Sequence, residues 1–301
     1  MALDRDFLKA AATVVEQYVR ARLAPADTLT GWSLDDRDPD TISALLPFYG
    51  WLYRHYFRVQ TDGWQHIPET GNVLLIGSHN GGLAAPDTVM MAYDWLRRFG
   101  PDRPVYALME PSIWRLLPGV ARLATQVGTL QANSQLAVAA LRRGASLLIY
   151  PGGLRDVFRP HSQRDRICFY HNTGFIKLAL LEEVPIVPLI SYGAHDTLIV
   201  LADLYPYLAQ LHRWGLPWLF GLDPEVWPLY LGLPWGLSPG PLPNLPLPVP
   251  LHTRVCPPII FERCGLAAAH DEAYIEACYH RVCETMQRQL DQLFAEHQPE
   301  G

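Results

Sequence analysis

The chain has no Cys-x-x-Cys pair, no block of basic residues and no His-Glu-x-x-His spacing. Nor does it contain a run of about 18 consecutive apolar residues. Each absence excludes something. Without such a run, no membrane-spanning helix is expected. Lys and Arg number 24 against 30 Asp and Glu, a formal net charge of −6, so nucleic-acid binding is not expected. The five cysteines, at 168, 256, 264, 278 and 283, are odd in number and read as reduced structural thiols in a cytoplasmic setting. Cys278 and Cys283 lie five apart on an expected helix and do not suggest a metal knuckle. The eleven histidines are scattered, and His161, His171 and His195 read as surface or hydrogen-bonded residues, so no metal site is expected. The opening stretch MALDRDFLKAAATVVEQYVRARL is acidic and amphipathic and lacks the apolar core of a signal peptide. Charge is also scarce, at 18% of residues, where about 25% is usual. Hydrophobic residues make up 49%, enough for a large core.

What is present alternates. Apolar runs over 72–78, 103–109, 145–150 and 184–191 read as buried strands. Helical patterns follow over 86–100, 134–144 and 173–183. Strands alternating with helices indicate an α/β fold, a mainly parallel sheet flanked by helices. Residues 4–23 read as an N-terminal helix with Phe7, Ala11, Val14, Val15 and Tyr18 on one stripe. An aromatic-rich helix over 42–59 is open to two readings, a packing helix or a membrane-surface helix with Arg54, His55 and Arg58 at the headgroups. Residues 205–250 are rich in Pro, Trp and Leu, and their proline density forbids a long helix. A strand is expected to return at 253–261. Residues 271–297 read as a C-terminal amphipathic helix with Tyr274, Cys278, Val282, Met286 and Leu290 on its stripe. No internal repeat is visible.

Chemistry concentrates at two strand ends. In GSHNGGLAAPD, His79 follows the run VLLIGS, and ligands of open α/β sheets bind at the carboxyl edge. Gly81 and Gly82 allow close approach of backbone or a sharp turn. Asp87 falls in the first turn of the next helix, and a carboxylate on one imidazole nitrogen leaves the other free as a base. The plainer alternative is a helix-capping Asp beside an unrelated loop His. After LLIY come Pro151, Gly152 and Gly153, then Arg155, Arg159 and Arg164. The GLSPG stretch matches the Gly-x-Ser-x-Gly pattern around Ser238, but Pro239 prevents the helix that a nucleophile elbow requires.

Order and spacing together resemble the lysophospholipid and glycerolipid acyltransferase superfamily over about residues 57–265. SHNGGLAAPD stands for its His–Asp motif, VGTLQANSQLAVAALRRG for its second block, IYPGG for its Pro-Glu-Gly turn and VPIVPLI for the fourth. Three departures stand out. Seven residues separate His79 from Asp87 instead of four, Gly152 replaces the glutamate, and QANSQ lacks the second-block arginine. They look like the monoacylglycerol and diacylglycerol acyltransferase branch, whose acceptor is a neutral lipid. The organisation expected is an N-terminal helical region over 1–56 with possible membrane-surface contact, an acyltransferase domain over 57–265 and a C-terminal amphipathic helix over 266–301.

The resemblance implies an enzyme that moves an acyl chain from acyl-CoA or an acyl carrier protein to a lipid hydroxyl, with His79 and Asp87 catalytic. Gly81, Gly82, Pro151, Gly152, Gly153, Arg155 and Arg159 are the expected substrate-binding residues. No cofactor beyond the thioester substrate is expected. A lysophospholipid or glycerol-phosphate acceptor is the alternative, met by the arginines after PGG. A lipid esterase or a non-catalytic lipid-binding protein would be a different class. Partners are the thioester donor, the lipid alcohol acceptor and a membrane surface, the chain lying peripherally on its cytoplasmic face. The aromatic helix at 46–58 and the Trp214, Trp218, Trp227 and Trp235 stretch are the two regions that could reach lipid. These Trp could instead cover the sheet or line an acyl tunnel.

Overall fold

A computed structural model describes residues 5–25, 27–218 and 223–297. The expectations for residues 1–4, 219–222 and 298–301 lie outside these. Among the described residues, ten strands form two sheets: β1 (Gln60–Asp62), β2 (Leu74–Gly77), β3 (Val105–Met109), β4 (Thr129–Gln131), β5 (Ser146–Ile149), β6 (Ile186–Tyr192), β7 (Ile199–Asp203), β8 (Pro228–Gly232), β9 (Gly236–Pro239) and β10 (His252–Val255). The larger sheet runs β1-β10-β6-β2-β5-β3-β4. Its five strands β6-β2-β5-β3-β4 are parallel, and β10 joins antiparallel to β6. This is the mainly parallel, helix-flanked sheet that the alternation implied.

The central strands are continuous apolar runs because both faces are covered. Leu74, Ile76 and Leu147 face a core shared with helices Ser134–Arg142, Gly174–Leu181 and Glu272–Glu296; Leu75, Val187 and Leu148 face Trp95 and Met91 of helix Pro86–Phe99. The C-terminal helix buries Cys278, Val282, Met286 and Leu290, the stripe read from the sequence. The N-terminal helix Arg5–Leu23 packs on helices Pro39–Trp51 and Pro118–Gln126.

Three features differ from the sequence reading. The aromatic helix ends at Trp51 and continues only as a wide turn over Leu52–Tyr56. Trp51, Tyr53 and Phe57 are buried, and Tyr53 donates to Asp94 Oδ2 at 3.2 Å, which agrees with the packing reading, while Arg54, His55 and Arg58 are exposed. β1 and β4, three residues each, were not foreseen; neither is long enough to show a period. β8 and β9 of the proline-rich stretch join β7, which precedes it, in a second, antiparallel sheet whose inward Val200 and Tyr230 pack with Val157, Phe158 and Leu198.

Candidate active site

β2 and β5 are neighbours in parallel register, Ile76 beside Ile149, so the loops after both open at one edge of the sheet. His79 stands two residues beyond β2. Tyr150 stands one beyond β5, and its ring stacks on the His79 imidazole with centroids 4.5 Å apart. Gly77 makes this possible, because a Cβ there would lie 2.3 Å from the Tyr150 ring. Burial, with the Asp87 charge second, pushes the Tyr150 phenol well above its ordinary range, so it stays protonated.

The long His–Asp spacing is absorbed by local structure. Gly81 (φ 86°) and Ala85 (φ 44°) adopt left-handed backbone on either side of a single 3-10 turn, Gly82–Ala84, whose first residue also has a positive φ of 69°. That turn folds the chain back, and Pro86 then starts helix Pro86–Phe99 with Asp87 in its first turn. Asp87 Oδ2 lies 3.2 Å from His79 Nδ1 and accepts the Asn80 backbone N–H at 2.8 Å. Its Oδ1 accepts the Thr88 N–H at 2.7 Å. Asp87 is buried, while 20% of the His79 side chain is exposed. With Nδ1–H directed at a carboxylate, Nε2 is the nitrogen that can take a proton. Substitution at Gly81 or Gly82 is blocked sterically as well as by φ, with a Cβ meeting Thr197 Oγ1 at 2.4 Å or Asn244 Oδ1 and Leu198 at 2.6 Å.

Behind this pair lies a buried network that the sequence reading did not single out. Asp156, in the short helix Gly153–Val157 after PGG, accepts the His79 backbone N–H at 2.5 Å and the Ser78 hydroxyl at 3.2 Å. It pairs with Arg159, whose Nη2 donates to Asn80 Oδ1 at 3.1 Å and whose Nε donates to the Gln163 carbonyl at 2.9 Å. His195 places one ring nitrogen 2.9 Å from Asn80 Oδ1 and the other 2.9 Å from the Arg159 carbonyl. An Arg three residues after an Asp on one short segment, RDVFR, was the available signal for the ion pair; nothing local marks Asn80, and His195, read as a surface or hydrogen-bonded residue, is hydrogen-bonded and buried.

Arg159 is therefore placed otherwise than expected. It is 1% exposed, and its guanidinium is held inside the protein instead of facing substrate. Arg155 is exposed, with its guanidinium 5.8 Å from the Tyr170 ring centre. Arg164 is exposed as well. Gly152 packs under Asp156, where a Cβ would lie 2.3 Å from the Asp156 Cβ and 2.6 Å from the Cys168 carbonyl. Pro151 and Gly153 border the cavity, and the Gly153 N–H donates to the Tyr150 carbonyl at 3.2 Å. Ser238 is buried in β9, its hydroxyl directed to the Trp235 carbonyl at 3.4 Å, with no histidine among its partners.

From His79 a cavity of about 760 Å³ extends between helices Pro39–Trp51, Pro86–Phe99 and Pro118–Gln126, walled by side chains such as Leu45, Val89, Leu96, Ile113, Val120 and Leu123. Among the described residues that line it, none is Lys or Arg and the one carboxylate is Glu110. No group of three or more His, Cys, Asp or Glu among the described residues is arranged to hold a metal ion. No described helix is long and apolar enough to cross a membrane.

Comparison with known proteins bears on the chemistry. Residues 58–192 match the Acyltransferase family model. An uncharacterized protein of Mycobacterium leprae is 26% identical over 282 residues, 93% of this chain and 72% of that protein. A human protein described as a DGAT1/2-independent enzyme synthesizing storage lipids is 25% identical over 182 residues, 60% of this chain and 54% of that one. The crystal structure of the 1-acyl-sn-glycerophosphate (LPA) acyltransferase PlsC from Thermotoga maritima superposes with a TM-score of 0.50 at 15% identity, covering 96% of this chain and 94% of that one.

Proposed function

We propose that this chain, an acyltransferase whose residues 58–192 match the Acyltransferase family model, transfers an acyl group from acyl-CoA or an acyl carrier protein to a neutral lipid hydroxyl such as that of diacylglycerol. The observation that carries this reading is the cavity. Its walls are mostly apolar, it begins at His79, and it offers a phosphate no Lys or Arg among its described lining residues.

His79 Nε2 takes the acceptor hydroxyl proton as the oxygen attacks the thioester carbonyl. Asp87 holds Nδ1–H and stabilises the imidazolium that results. The tetrahedral oxyanion needs donors. The Gly153 N–H is engaged by the Tyr150 carbonyl, and the Gly81, Gly82 and Gly152 N–H groups remain as candidates. Collapse expels the thiolate, and the imidazolium proton returns to it. No step in this sequence draws on a metal or an added cofactor. The storage-lipid synthesis by which the human relative is described agrees with a neutral acceptor. Arg155, exposed on the helix that follows PGG, is what favours the second reading, a lysophospholipid or glycerol-phosphate acceptor. In either case we place the protein peripherally at the cytoplasmic face of a membrane, where such acceptors reside.

The test is a purified-protein assay with labelled acyl-CoA or acyl carrier protein against diacylglycerol, a long-chain alcohol, lysophosphatidic acid and glycerol 3-phosphate. Transfer to the first two supports the reading. Preference for the phosphate-bearing acceptors overturns it in favour of the second. Release of free fatty acid alone shows an esterase.

A further inference from the structure

We propose that the outer face of the β7-β8-β9 sheet, with the proline-rich segment after it, is the surface by which this chain docks on a lipid bilayer. The proposal rests on the acyltransferase reading above for its purpose, and on the following observations for its place.

The first is charge. Residues 226–251 form a stretch of 26 without a single Asp, Glu, Lys or Arg. The second is the direction of its side chains. β8 and β9 alternate, so Tyr230 turns into the core while Leu231 and its cross-strand partner Leu237 turn out, Leu237 being 64% exposed. Leu233 pairs with Leu245 at the hairpin tip, and both are exposed, as is Trp235 at 54%. Trp214, 74% exposed, follows the neighbouring helix Tyr205–Arg213. Scattered exposed leucines are ordinary on a protein surface; a charge-free cluster with Trp among it is not.

The third observation selects the occupant. A backbone entering hydrocarbon must leave no N–H group unpaired. Eight of these 26 residues are proline, which has no N–H to satisfy. Trp235 Nε1–H is already donated to the Pro243 carbonyl at 2.7 Å, so its ring too can be buried without cost. The same prolines argue against a protein partner that adds a strand, since Pro239 lies in the edge strand β9. At the margins, Arg58 donates to the Pro248 carbonyl at 3.3 Å and Arg213 immediately precedes Trp214; both are exposed, and neither meets a carboxylate among the described residues. They are placed to meet lipid phosphates.

Position completes the argument. The inner face of this sheet packs on Leu83 and Leu154, which also line the cavity. The sheet therefore stands between the proposed lipid surface and the wall of the acyl site. Trp218 and Trp227, which the sequence alone offered equally, are less exposed than Trp214 and Trp235, and Trp218 stacks on His212 at 4.4 Å.

The test uses the full chain and vesicles of phosphatidylcholine, alone and mixed with phosphatidylglycerol, with no substrate present. Wild type should float with both and be released poorly by salt, because apolar burial dominates. Combining Leu231→Asp with Leu237→Asp should reduce the bound fraction by about tenfold or more. Thermal unfolding and transfer between a short-chain acyl-CoA and a short water-soluble alcohol should be unchanged. Should the charged pair fail to fold, the milder Trp214→Phe, Trp235→Phe variant decides: brominated phosphatidylcholine should quench tryptophan emission strongly in wild type and weakly in the variant. Unchanged flotation or quenching overturns the proposal. So does a wild-type dimer that these substitutions dissociate, which would make a second copy the occupant. Flotation without any acyl transfer would instead refute the enzymatic reading and leave the docking face standing.

Discussion

The Asp156 carboxylate accepts the backbone N–H of His79 at 2.5 Å across 77 residues of sequence. It ties the turn after β5 to the loop after β2. The same carboxylate neutralises Arg159, and both side chains are almost wholly buried. Removing one partner of a buried pair leaves the other charge uncompensated, at a cost of about 3–5 kcal/mol, whereas replacing both with apolar or neutral groups is often tolerated. Asp156→Asn should therefore lower the thermal midpoint strongly, and Asp156→Asn combined with Arg159→Met should recover most of the loss. Turnover should remain low in both, because a neutral amide is a weaker acceptor for the N–H that holds the His79 loop. Equal destabilisation by the single and double variants would contradict this.

Asp87 orients His79 through Nδ1. Asp87→Asn presents an amide that can hold the wrong tautomer, so kcat should fall by about tenfold or more with KM little changed. Chelators should not affect wild-type activity. Inhibition by a chelator that zinc or magnesium reverses would show that Asp87 serves a metal instead.

Gly152 has a steric reason to be glycine, independent of the acceptor. Gly152→Glu would drive a Cβ into Asp156 and the Cys168 carbonyl. The variant should be destabilised and should not gain activity on glycerol 3-phosphate or lysophosphatidic acid. A folded Gly152→Glu protein with a switched acceptor would mean that this position reads the acceptor directly.

His195 supplies a pH dependence of stability. Burial, with the Arg159 guanidinium second, pushes its imidazole down to about 3, against about 6.5 in an unfolded chain. The unfolded state thus binds a proton that the folded state refuses. The stability this represents is full above about pH 6.5 and is lost progressively as pH falls toward 3. Denaturant unfolding across that window should show His195→Gln, which cannot titrate, losing less stability than wild type. Parallel curves for the two proteins would contradict the burial of a neutral imidazole.

The parallel sheet was legible because its strands are buried on both faces, which writes runs such as LLIG and SLLI into the chain, and because the helices between them carry apolar stripes. His79 and Asp87 were legible from the strand end and the glycines that follow. That they meet across seven residues was one of two readings, the other being a capping Asp beside an unrelated His; the 3-10 turn at Gly82–Ala84 that brings them together packs against Leu198 and Asn244, distant in sequence. Asp156 and Asn80 were hidden, each having its meaning only through a partner on another loop. Arg159 misled because a cation after PGG looks like a phosphate ligand until its buried carboxylate is seen. The second sheet was masked by its prolines, which suppress helix but are tolerated at edges and turns.

The central claim is that Nε2 of His79 takes the acceptor proton at the mouth of the apolar cavity. Its most direct measurement is single-turnover transfer of a labelled acyl group to diacylglycerol by wild type and His79→Ala. The account predicts a fall of at least about 10²-fold in the transfer rate, with thermal unfolding nearly unchanged. A folded His79→Ala protein transferring acyl groups at close to the wild-type rate would contradict it.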